Sequence, residues 1–299
     1  MDPQVTEKLV QEMANFNCET GDIGGVALLK GICDVWDTIY NFQARDGDIV
    51  VVSYPKSGTT WMQEILDLIV QGGDVEKSMR APGFVKVPFL EMGHTSLAVA
   101  DNLPSPRVLK SHLPVQLMPP SFWEKDVKIV YVARNPKDCM VSYYYFYKMD
   151  QTLPDPGTWD NFFSMFMAGN VTWGSWFDHV LGWWKAKDKH KILYVFYEDM
   201  IEDSRREVQK VVRFLGEDFS EDVVQKILQH TSFKAMKSNP MANFTSLPDS
   251  VFDQSVTSFM RKGIVGDWKN HFLESQNIVF DEEYKKKMEG SGLVFRMEL

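Results

Sequence analysis

Short apolar runs alternate with longer amphipathic stretches along most of this 299-residue chain. Four of the runs are rich in β-branched residues and apolar on both faces, as strands buried within a parallel sheet are. These predicted strands are Asp48–Tyr54, Arg107–Ser111, Val127–Arg134 and Lys191–Tyr197. Helical spacing is found in the stretches between and beyond them, namely Thr60–Val70, Lys137–Lys148, Trp173–Lys187, Ser204–Leu215 and Ser220–His230. Ser204 and Ser220 are predicted to be N-caps.

The alternation of strands and helices predicts an α/β fold with three layers, in which helices flank a central parallel sheet. Ligands of such folds bind at the carboxyl ends of the strands. No repeat, low-complexity tract or long linker divides the chain, so we expect one domain over residues 1–299. Asn239–Gly266 lacks periodicity and is predicted to be a long functional loop.

The composition excludes one large class of partner. The chain is 44% hydrophobic and 24% charged, as globular proteins are. Its formal net charge of −9 argues against general nucleic-acid binding, which needs a basic face. A few Lys and Arg side chains can still bind an anionic ligand, because their fields dominate at short range.

The cysteines and the N-terminus predict a cytoplasmic protein. Cys18, Cys33 and Cys139 form no CxxC pair and cannot all be paired, which suits a reducing compartment. The first residues lack the pattern of a signal peptide, and no apolar run approaches the roughly 18 residues of a membrane span. We therefore expect no membrane association.

The strongest local motif is YPKSGTTW at residues 54–61, between the first predicted strand and a helix. A strand–loop–helix of this kind directs backbone N–H groups and a helix N-terminus at one point, which suits a phosphate. Gly58 permits a close approach of the backbone, Lys56 adds a charge, and Thr59 and Thr60 offer hydroxyls. The motif predicts a P-loop-like phosphate cradle, with an ordinary strand–helix turn as the alternative.

A nucleotide kinase is the first rival, but its P-loop has the order GxxxxGK[ST]. Here Lys56 precedes Gly58. A second strand of such an enzyme would end in an Asp that helps to hold Mg²⁺. In this chain the strand Val127–Arg134 ends in a cation, which repels a metal and attracts another anion. The pattern predicts a phosphate site without magnesium.

Three segments together resemble the cytosolic sulfotransferase family: YPKSGTTW, the pair Arg134 and Ser142, and RKGIVGDW at residues 261–268. The resemblance extends from about Asp48 to Leu299. It is nearest to the phenol (aryl) branch, which Asn239–Trp268 and the closing FRMEL also resemble. It implies transfer of a sulfuryl group from 3′-phosphoadenosine 5′-phosphosulfate (PAPS) to a small acceptor.

The resemblance implies roles for individual residues. The 5′-phosphosulfate and adenine are bound at the loop by Lys56, Ser57, Gly58, Thr59, Thr60 and Trp61, whose indole stacks on adenine. The 3′-phosphate is bound by Arg134, Ser142, Arg261, Lys262 and Gly263. The adenine is also contacted by Tyr197, Thr231, Ser232 and Phe233. The implied catalytic residues are His112, Lys56, Lys110 and Ser142. Taken alone, Arg261 and Lys262 equally fit a solvated charge pair in a loop.

His112 is the candidate general base, because it follows a predicted strand in LKSHLP at residues 109–114. An acceptor hydroxyl needs a base as its oxygen attacks sulfur. Neighbouring cations should keep His112 neutral, and Lys56 and Lys110 should neutralise charge on the transferred group. The family commonly has Thr where this chain has Ser111. The other five histidines show no metal-ligand spacing, and we expect no metal.

The acceptor pocket is predicted from apolar residues that match pocket positions of the phenol branch: Phe84, Phe89, Met92, Phe146 and Phe244. Lys110, Ser111 and His112 complete the predicted acceptor side. Each aromatic residue by itself fits the core equally well. Together they favour a flat, apolar acceptor such as a phenol, catechol, steroid or amine.

Two further hypotheses concern activity and assembly. A non-catalytic protein that has kept the nucleotide site is the second rival, against which the intact His112 argues. Many members of the family dimerise through Lys-x-x-x-Thr-Val-x-x-x-Glu. Here Lys269 is kept, but Leu273 and Glu274 replace Thr-Val, and Ile278 replaces the Glu. We therefore expect a monomer or a weak homodimer.

Overall fold

The computed structural model describes residues 3–16 and 18–299. These residues contain an antiparallel hairpin and a parallel sheet of four strands. The strands are β1 Thr20–Ile23, β2 Val26–Leu29, β3 Ile49–Ser53, β4 Val108–Ser111, β5 Lys128–Ala133 and β6 Ile192–Phe196. The parallel sheet has the order β4–β3–β5–β6, and the four strands predicted from the sequence are confirmed.

Helices cover both faces of this sheet. They are α1 Pro3–Ala14, α2 Lys30–Asp34, α3 Trp36–Tyr40, α4 Thr59–Val70, α5 Val75–Ser78, α6 Gly83–Lys86, α7 His94–Asn102, α8 Ser121–Glu124, α9 Pro136–Met149, α10 Trp159–Ala168, α11 Trp176–Ala186, α12 Tyr197–Glu202, α13 Ser204–Leu215, α14 Glu221–His230, α15 Phe233–Ser238 and α16 Glu274–Met288. Short 3₁₀ turns occupy Leu90–Met92, Val115–Leu117 and Asp267–Asn270. Among the described residues, no helix combines the length and apolarity needed to cross a membrane.

The sheet is buried on both faces, as the continuous apolar strands predict. Val50 and Val52 of β3 pack with α9, α10, α11 and α16, whereas Ile49 and Val51 pack with α4, α13 and α14. The period of two along the strand thus divides the core into two halves. The predicted three-layer α/β domain is confirmed.

The strand order opens a crevice at the carboxyl ends of the strands. The connection after β3 leads to β4 on one side, while the connection after β5 leads to β6 on the other. Chains that leave neighbouring parallel strands in opposite directions leave room for a ligand between them. The loops after all four strands meet at these carboxyl ends.

The start of one predicted helix is wrong. The stretch Trp173–Lys187 begins as a turn, in which Trp173 and Gly174 have φ angles of 64° and 73°. Such left-handed residues cannot continue a right-handed helix. The helix α11 instead follows Ser175, whose hydroxyl accepts from Asp178 N–H at 3.2 Å.

Of the two predicted N-caps, one is confirmed and the other is wrong. Ser220 is the N-cap of α14, as predicted. At α13 the prediction is wrong by one residue: Asp203 is the N-cap and accepts from Arg206 N–H at 3.0 Å, while Ser204 is the first helical residue. A carboxylate at this position also interacts favourably with the helix dipole. The predicted loop Asn239–Gly266 contains no helix or strand.

Candidate functional site

The loop between β3 and α4 has the backbone that a phosphate cradle requires. Gly58 adopts φ 102°, and a Cβ there would lie 2.8 Å from the ring of Tyr197. Thr59 begins α4, and its hydroxyl lies 2.6 Å from that of Ser53 at the end of β3. The first turn of α4 therefore directs its N–H groups into the crevice, where they favour negative charge.

A single cavity of about 240 Å³ joins this loop to a large group of other residues. On the predicted donor side it is lined by Lys56, Gly58, Thr59, Thr60, Trp61, Arg134, Ser142, Tyr197, Thr231, Phe233, Arg261, Lys262 and Gly263. On the predicted acceptor side it is lined by Phe84, Phe89, Met92, Lys110, His112, Phe146 and Phe244. The fold thus brings together residues that are far apart in the sequence, since Lys56 and Gly263 line one space although they are 207 positions apart.

Three predicted site residues direct their side chains elsewhere. The Ser57 hydroxyl is buried 3.8 Å from the sulfur of Cys139. The Ser111 hydroxyl accepts from Leu113 N–H at 3.0 Å. The Ser232 hydroxyl caps α15 by accepting from Ala235 N–H at 3.3 Å. None of the three lines the cavity.

The Arg134 guanidinium lies at the end of β5, against the loop that follows β3. It donates to the backbone oxygens of Lys56 at 3.0 Å and Ile264 at 3.3 Å, and it lies 4.4 Å from the centroid of the Tyr197 ring. Its Nε–H is buried and has no hydrogen-bond partner among the described residues. A cation with a spare donor suits an anionic ligand.

Arg261 and Lys262 are both tied to the carboxylate of Asp267. Arg261 donates to Asp267 Oδ2 at 2.6 Å, and Lys262 is bonded to Oδ1. Burial opposes the charge on Asp267, but hydrogen bonds from Lys262, Asn270 and Arg261 hold the pKa of this carboxyl well below its usual range. Like Arg134, Arg261 keeps a buried Nε–H without a partner in the described chain.

Lys56 carries its ammonium group between two aromatic rings. Its Nζ lies 4.1 Å from the centroid of Phe146 and 4.2 Å from that of Phe259. Loss of hydration, with the nearby charges of Lys110 and Arg134, lowers the pKa of Lys56 to about 7. Lys110 lies over the ring of Phe89, and burial lowers its pKa to about 8. The cavity therefore concentrates cations that an incoming anion would stabilise.

His112 is held in one tautomer. Its Nδ1 lies 2.8 Å from the carbonyl oxygen of Ser53, which can only accept, so Nδ1 carries the proton and Nε2 carries the lone pair. Burial first, and then Lys110, lower the pKa of His112 well below its ordinary value. The imidazole is therefore neutral at pH 7, with an available basic nitrogen.

The main chain at His112 is fixed from two sides. Its N–H donates to Glu91 Oε1 at 2.6 Å, and its carbonyl accepts from His179 Nε2 at 3.0 Å. The other nitrogen of His179 accepts from the Tyr131 hydroxyl at 2.7 Å. Burial lowers the pKa of His179 to about 4, which keeps this ring neutral as well.

The acceptor side includes residues that the sequence did not single out. Trp173 packs edge-to-face on His112, with ring centroids 5.6 Å apart. Phe259 and Phe252 come from the long loop, and Phe16 and Leu29 come from the N-terminal region. The sequence pattern predicts no element at the N-terminal hairpin or within the long loop, and the helical spacing after Trp173 conceals its turn.

Asp150 is a further missed residue of the acceptor side. It follows α9, has only 8% of its surface exposed to solvent, and lines the cavity. Its Oδ1 accepts from the N–H of Thr152 at 2.9 Å and from its hydroxyl at 2.7 Å. Burial raises the pKa of Asp150 to about 6, although these bonds and Lys56 favour the charged form.

Three cavity-lining residues other than glycine have left-handed backbones: Lys56 at φ 68°, Trp173 at φ 64° and Phe244 at φ 60°. Each such conformation costs about 1–3 kcal/mol and persists only where its surroundings enforce it. At Trp173 the enforcement is visible, because its N–H donates to Ala27 O at 2.8 Å and Gly174 O accepts from the Tyr54 hydroxyl at 2.9 Å.

No cluster of three or more His, Cys, Asp or Glu residues suited to a metal occurs within residues 3–16 and 18–299. The three cysteines are free, and burial raises the pKa of Cys139 to about 12. Lys269, within the last 3₁₀ turn, pairs with Glu298, and Leu273 and Ile278 beyond that turn are exposed.

Comparisons with known proteins agree on one family. The sequence profile described as "Sulfotransferase domain" matches residues 46–292. Sulfotransferase 1C2 of Rattus norvegicus is 53% identical over 282 residues, which cover 93% of this chain and 95% of that protein. Sulfotransferase 1A1 of Canis lupus familiaris is 51% identical over 281 residues, with coverages of 93% and 95%. The crystal structure of mouse sulfotransferase SULT7A1 complexed with PAP has a TM-score of 0.77 and 33% identity, and covers 91% of this chain and 96% of that one.

Proposed function

This chain belongs to the sulfotransferase family, and we propose that it transfers a sulfuryl group from PAPS to a small apolar acceptor, with His112 as the general base. The resemblance predicted from the sequence, nearest to the phenol branch, is confirmed by these relatives. The chain is accordingly a transferase enzyme. The acceptor classes that we propose are phenols, catechols, steroids and amines.

The donor side of the cavity suits PAPS. Arg134 and Arg261 each keep a buried Nε–H without a partner in the described residues, and Lys262 lies beside them. Charge-assisted bonds from such groups are about twice as strong as neutral ones. We assign this cluster, with Ser142 and Gly263, to the 3′-phosphate. Trp61 and Tyr197, whose ring centroids are 5.8 Å apart, and Phe233 suit an adenine ring.

The geometry of His112 is the observation that carries the proposal. The bond from Nδ1 to Ser53 O leaves the lone pair of Nε2 free, and burial keeps the ring neutral. This nitrogen takes the acceptor's hydroxyl proton while the acceptor oxygen bonds to sulfur. The bond between sulfur and the 5′-phosphate oxygen breaks, which leaves 3′-phosphoadenosine 5′-phosphate (PAP). A positioned base of this kind contributes about 10²–10⁴-fold.

Lys56 and Lys110 supply the electrostatic part of the reaction. Both ammonium groups line the cavity beside aromatic rings, where little water competes for them. Negative charge grows on the leaving phosphate, and fixed cations stabilise it. PAPS would restore the positive charge of Lys56 by raising its pKa above the present value of about 7. Ser142, also on the cavity wall, lies within the same donor side.

We propose that magnesium is not required. Lys56, Arg134, Arg261 and Lys262 already place positive charge around the donor site. These cations would repel a divalent cation. At the end of β5, where a nucleotide kinase has an Asp that helps to hold Mg²⁺, this chain has Arg134. The proposal thus separates this chemistry from that of a nucleotide kinase.

The acceptor side suits a flat apolar molecule. The rings of Phe84 and Phe244 stack with centroids 6.0 Å apart, and Phe146 lies nearby. The Asp150 carboxyl adds one ionisable group to this apolar wall, which supports amine-bearing acceptors within the proposed range. A cytoplasmic location and a monomer or weak homodimer stay predictions.

The test is a transfer assay with sulfur-labelled PAPS and a panel of phenols, catechols, steroids and amines, run with and without a magnesium chelator. We expect label in at least one acceptor and the same rate in both conditions. Parallel assays with ATP as the donor should give no phosphorylated product. Transfer that needs magnesium, or a purified protein that binds PAP tightly but labels none of the panel, would contradict the proposal.

A further inference from the structure

Glu91 is a buried carboxyl that the proposed reaction leaves without a role. It lies in the 3₁₀ turn Leu90–Met92 and has no solvent exposure. Its Oε1 accepts from the His112 N–H at 2.6 Å, while Oε2 is buried and makes no hydrogen bond of ordinary geometry within the described residues. The nearby Ser111 hydroxyl favours the charged form of this carboxyl. Burying a carboxyl with one oxygen that makes no ordinary hydrogen bond destabilises the folded state, so its presence here needs an explanation.

The turn that carries Glu91 is bound to the strand that carries His112. Lys110 N–H donates to Pro88 O at 2.9 Å, and Phe89 forms an isolated parallel bridge with Lys110. The main chain is thus held at Lys110 by Pro88, and Glu91 holds it again two residues later, at His112. The carboxyl is therefore tied to the main chain that carries the imidazole.

The electrostatics of proton transfer single out this carboxyl. When His112 accepts a proton, its imidazolium is surrounded by the cations Lys110 of β4 and Lys56 of the β3–α4 loop, with neutral His179 on the α11 side. The Ser53 carbonyl orients the ring but carries no net charge. Asp150 lies on the acceptor side and acts on Lys56. Glu91 accepts a hydrogen bond from the His112 N–H and interacts electrostatically with Lys110, so it is the carboxyl best placed to balance the new charge.

We propose that Glu91 is a positioning residue for the base: it fixes the main chain of His112 and supplies the counter-charge for the imidazolium that forms during transfer. This inference rests on the proposed function, since it assumes that His112 is the base. It differs from a Ser-His-Asp triad, in which the carboxylate bonds the ring nitrogen directly. Here a carbonyl orients the ring, and the carboxylate acts through the backbone and through space.

The proposal has a signature in the pH dependence. Burial raises the pKa of Glu91 to about 7, so the carboxyl is charged above this pH and neutral below it. A Gln side chain keeps the acceptor oxygen for His112 N–H but carries no charge at any pH. Lys56, Asp150 and His179 titrate in both proteins, and the charge of Glu91 also raises the pKa of Lys110. The ratio of the two rates therefore reports the charge of Glu91 as it acts on His112 and Lys110 together.

The experiment compares kcat of wild type and Glu91→Gln across the pH range, at saturating PAPS and acceptor. We expect wild type to exceed the variant about tenfold or more near pH 8.5, and the two rates to converge near pH 5.5, because one unit in the pKa of the base changes its equilibrium tenfold. The acceptor KM and the Kd of PAP should change less than about twofold, since Glu91 lines neither site.

Glu64→Gln is the matched control. Glu64 is equally buried, but its partner is Lys86, whose Nζ lies 2.7 Å away. We expect this variant to lose thermal stability, because the buried Lys86 is left with less compensation. Its rate relative to wild type should be the same at every pH.

Equal rates of wild type and Glu91→Gln near pH 8.5, or a loss by one constant factor from pH 5.5 to 8.5, would overturn the proposal. A wild type without transferase activity, or an active His112→Ala, would instead reject the proposed function. If Glu91→Gln does not fold, the wild type still provides a test by ¹⁵N-histidine NMR. The His112 amide proton, which is absent from His112→Ala spectra, should titrate near pH 7, and a shift constant between about pH 5.5 and 8.5 would refute the inference.

Discussion

On the donor side of the cavity, Lys56 follows β3, Arg134 follows β5 and Tyr197 follows β6, while Arg261 and Lys262 come from the loop Asn239–Gly266. On the acceptor side, His112 follows β4, but much of the apolar wall comes from α1, the N-terminal hairpin and the same loop. Sheet register fixes the spacing of the residues that follow strands, and the packing of remote segments fixes the positions of the others. The comparison suggests that chemistry is held by backbone hydrogen bonds, whereas selectivity is held by apolar contacts that tolerate replacement.

The largest expected effect lies at the boundary between these two regions. His112→Ala should lower kcat by about 10²–10⁴-fold, because it removes the base. The Kd of PAP should stay within about twofold, since the proposed base acts on the acceptor and not on the nucleotide. Steady-state kinetics and calorimetry measure the two quantities. An alanine variant within a few-fold of wild type would remove His112 from the mechanism.

The donor side should bind a nucleotide with a 3′-phosphate much more tightly than one without it. Charge-assisted bonds contribute about 1.5–3 kcal/mol each, so PAP should bind more than roughly 100-fold tighter than its analogue without that phosphate. Arg134→Ala and Arg261→Ala should each reduce this preference. Arg213→Ala, at an exposed position of α13, is the control and should keep it. Equal affinities of wild type for both nucleotides by calorimetry would eliminate the proposed site.

A smaller effect concerns the pH dependence of donor binding. Lys56 is charged below its pKa of about 7 and neutral above it, so rising pH removes a cation that faces the nucleotide. The affinity for PAP should fall about tenfold or more between pH 7 and 9, a window in which its phosphates stay ionised. Calorimetry in buffers of different ionisation enthalpy should detect proton uptake. Lys56→Arg should bind without that uptake, and uptake that persisted in this variant would assign it to another group.

Phe259 connects the two regions, since its ring lies against Lys56 and its centroid is 4.3 Å from that of Phe244. Phe259→Ala should raise the acceptor KM roughly five- to tenfold through lost aromatic packing. It should also admit water to Lys56 and move the pH midpoint of PAP binding upward. Phe84→Ala should raise KM without moving the midpoint, because Phe84 contacts Phe244 rather than Lys56. Identical midpoints in both variants would show that the ring does not desolvate Lys56.

The smallest expected effect is outside both regions. Leu273 is 59% exposed, in the segment where the family's dimer pattern is lost. Leu273→Asp should therefore leave the sedimentation coefficient unchanged at micromolar concentration, because a monomer loses no contact there. A tight wild-type dimer that this substitution dissociates would show the prediction of a monomer to be wrong.

The sequence indicates the position of some cavity residues more readily than that of others, for a physical reason. Lys56 and Arg134 adjoin strand ends, so the strand pattern alone brings them to one edge of the sheet. The direction of a short side chain is not encoded in this way, and the Ser57 hydroxyl points to Cys139 rather than into the cavity. Trp173 was assigned to a helix because its apolar spacing continues into α11, while its left-handed turn depends on bonds to Ala27 and Tyr54.

The left-handed backbones of Lys56, Trp173 and Phe244 bear on any attempt to make this protein more heat-resistant. Gly or Asn adopts such angles at little cost, so each replacement relieves strain that the native residue carries. Selection for thermal stability alone would therefore favour exchanges at three positions of the cavity wall and would erode catalysis. Directed evolution of this chain should hold these three codons constant and seek stability in the distant helix layers.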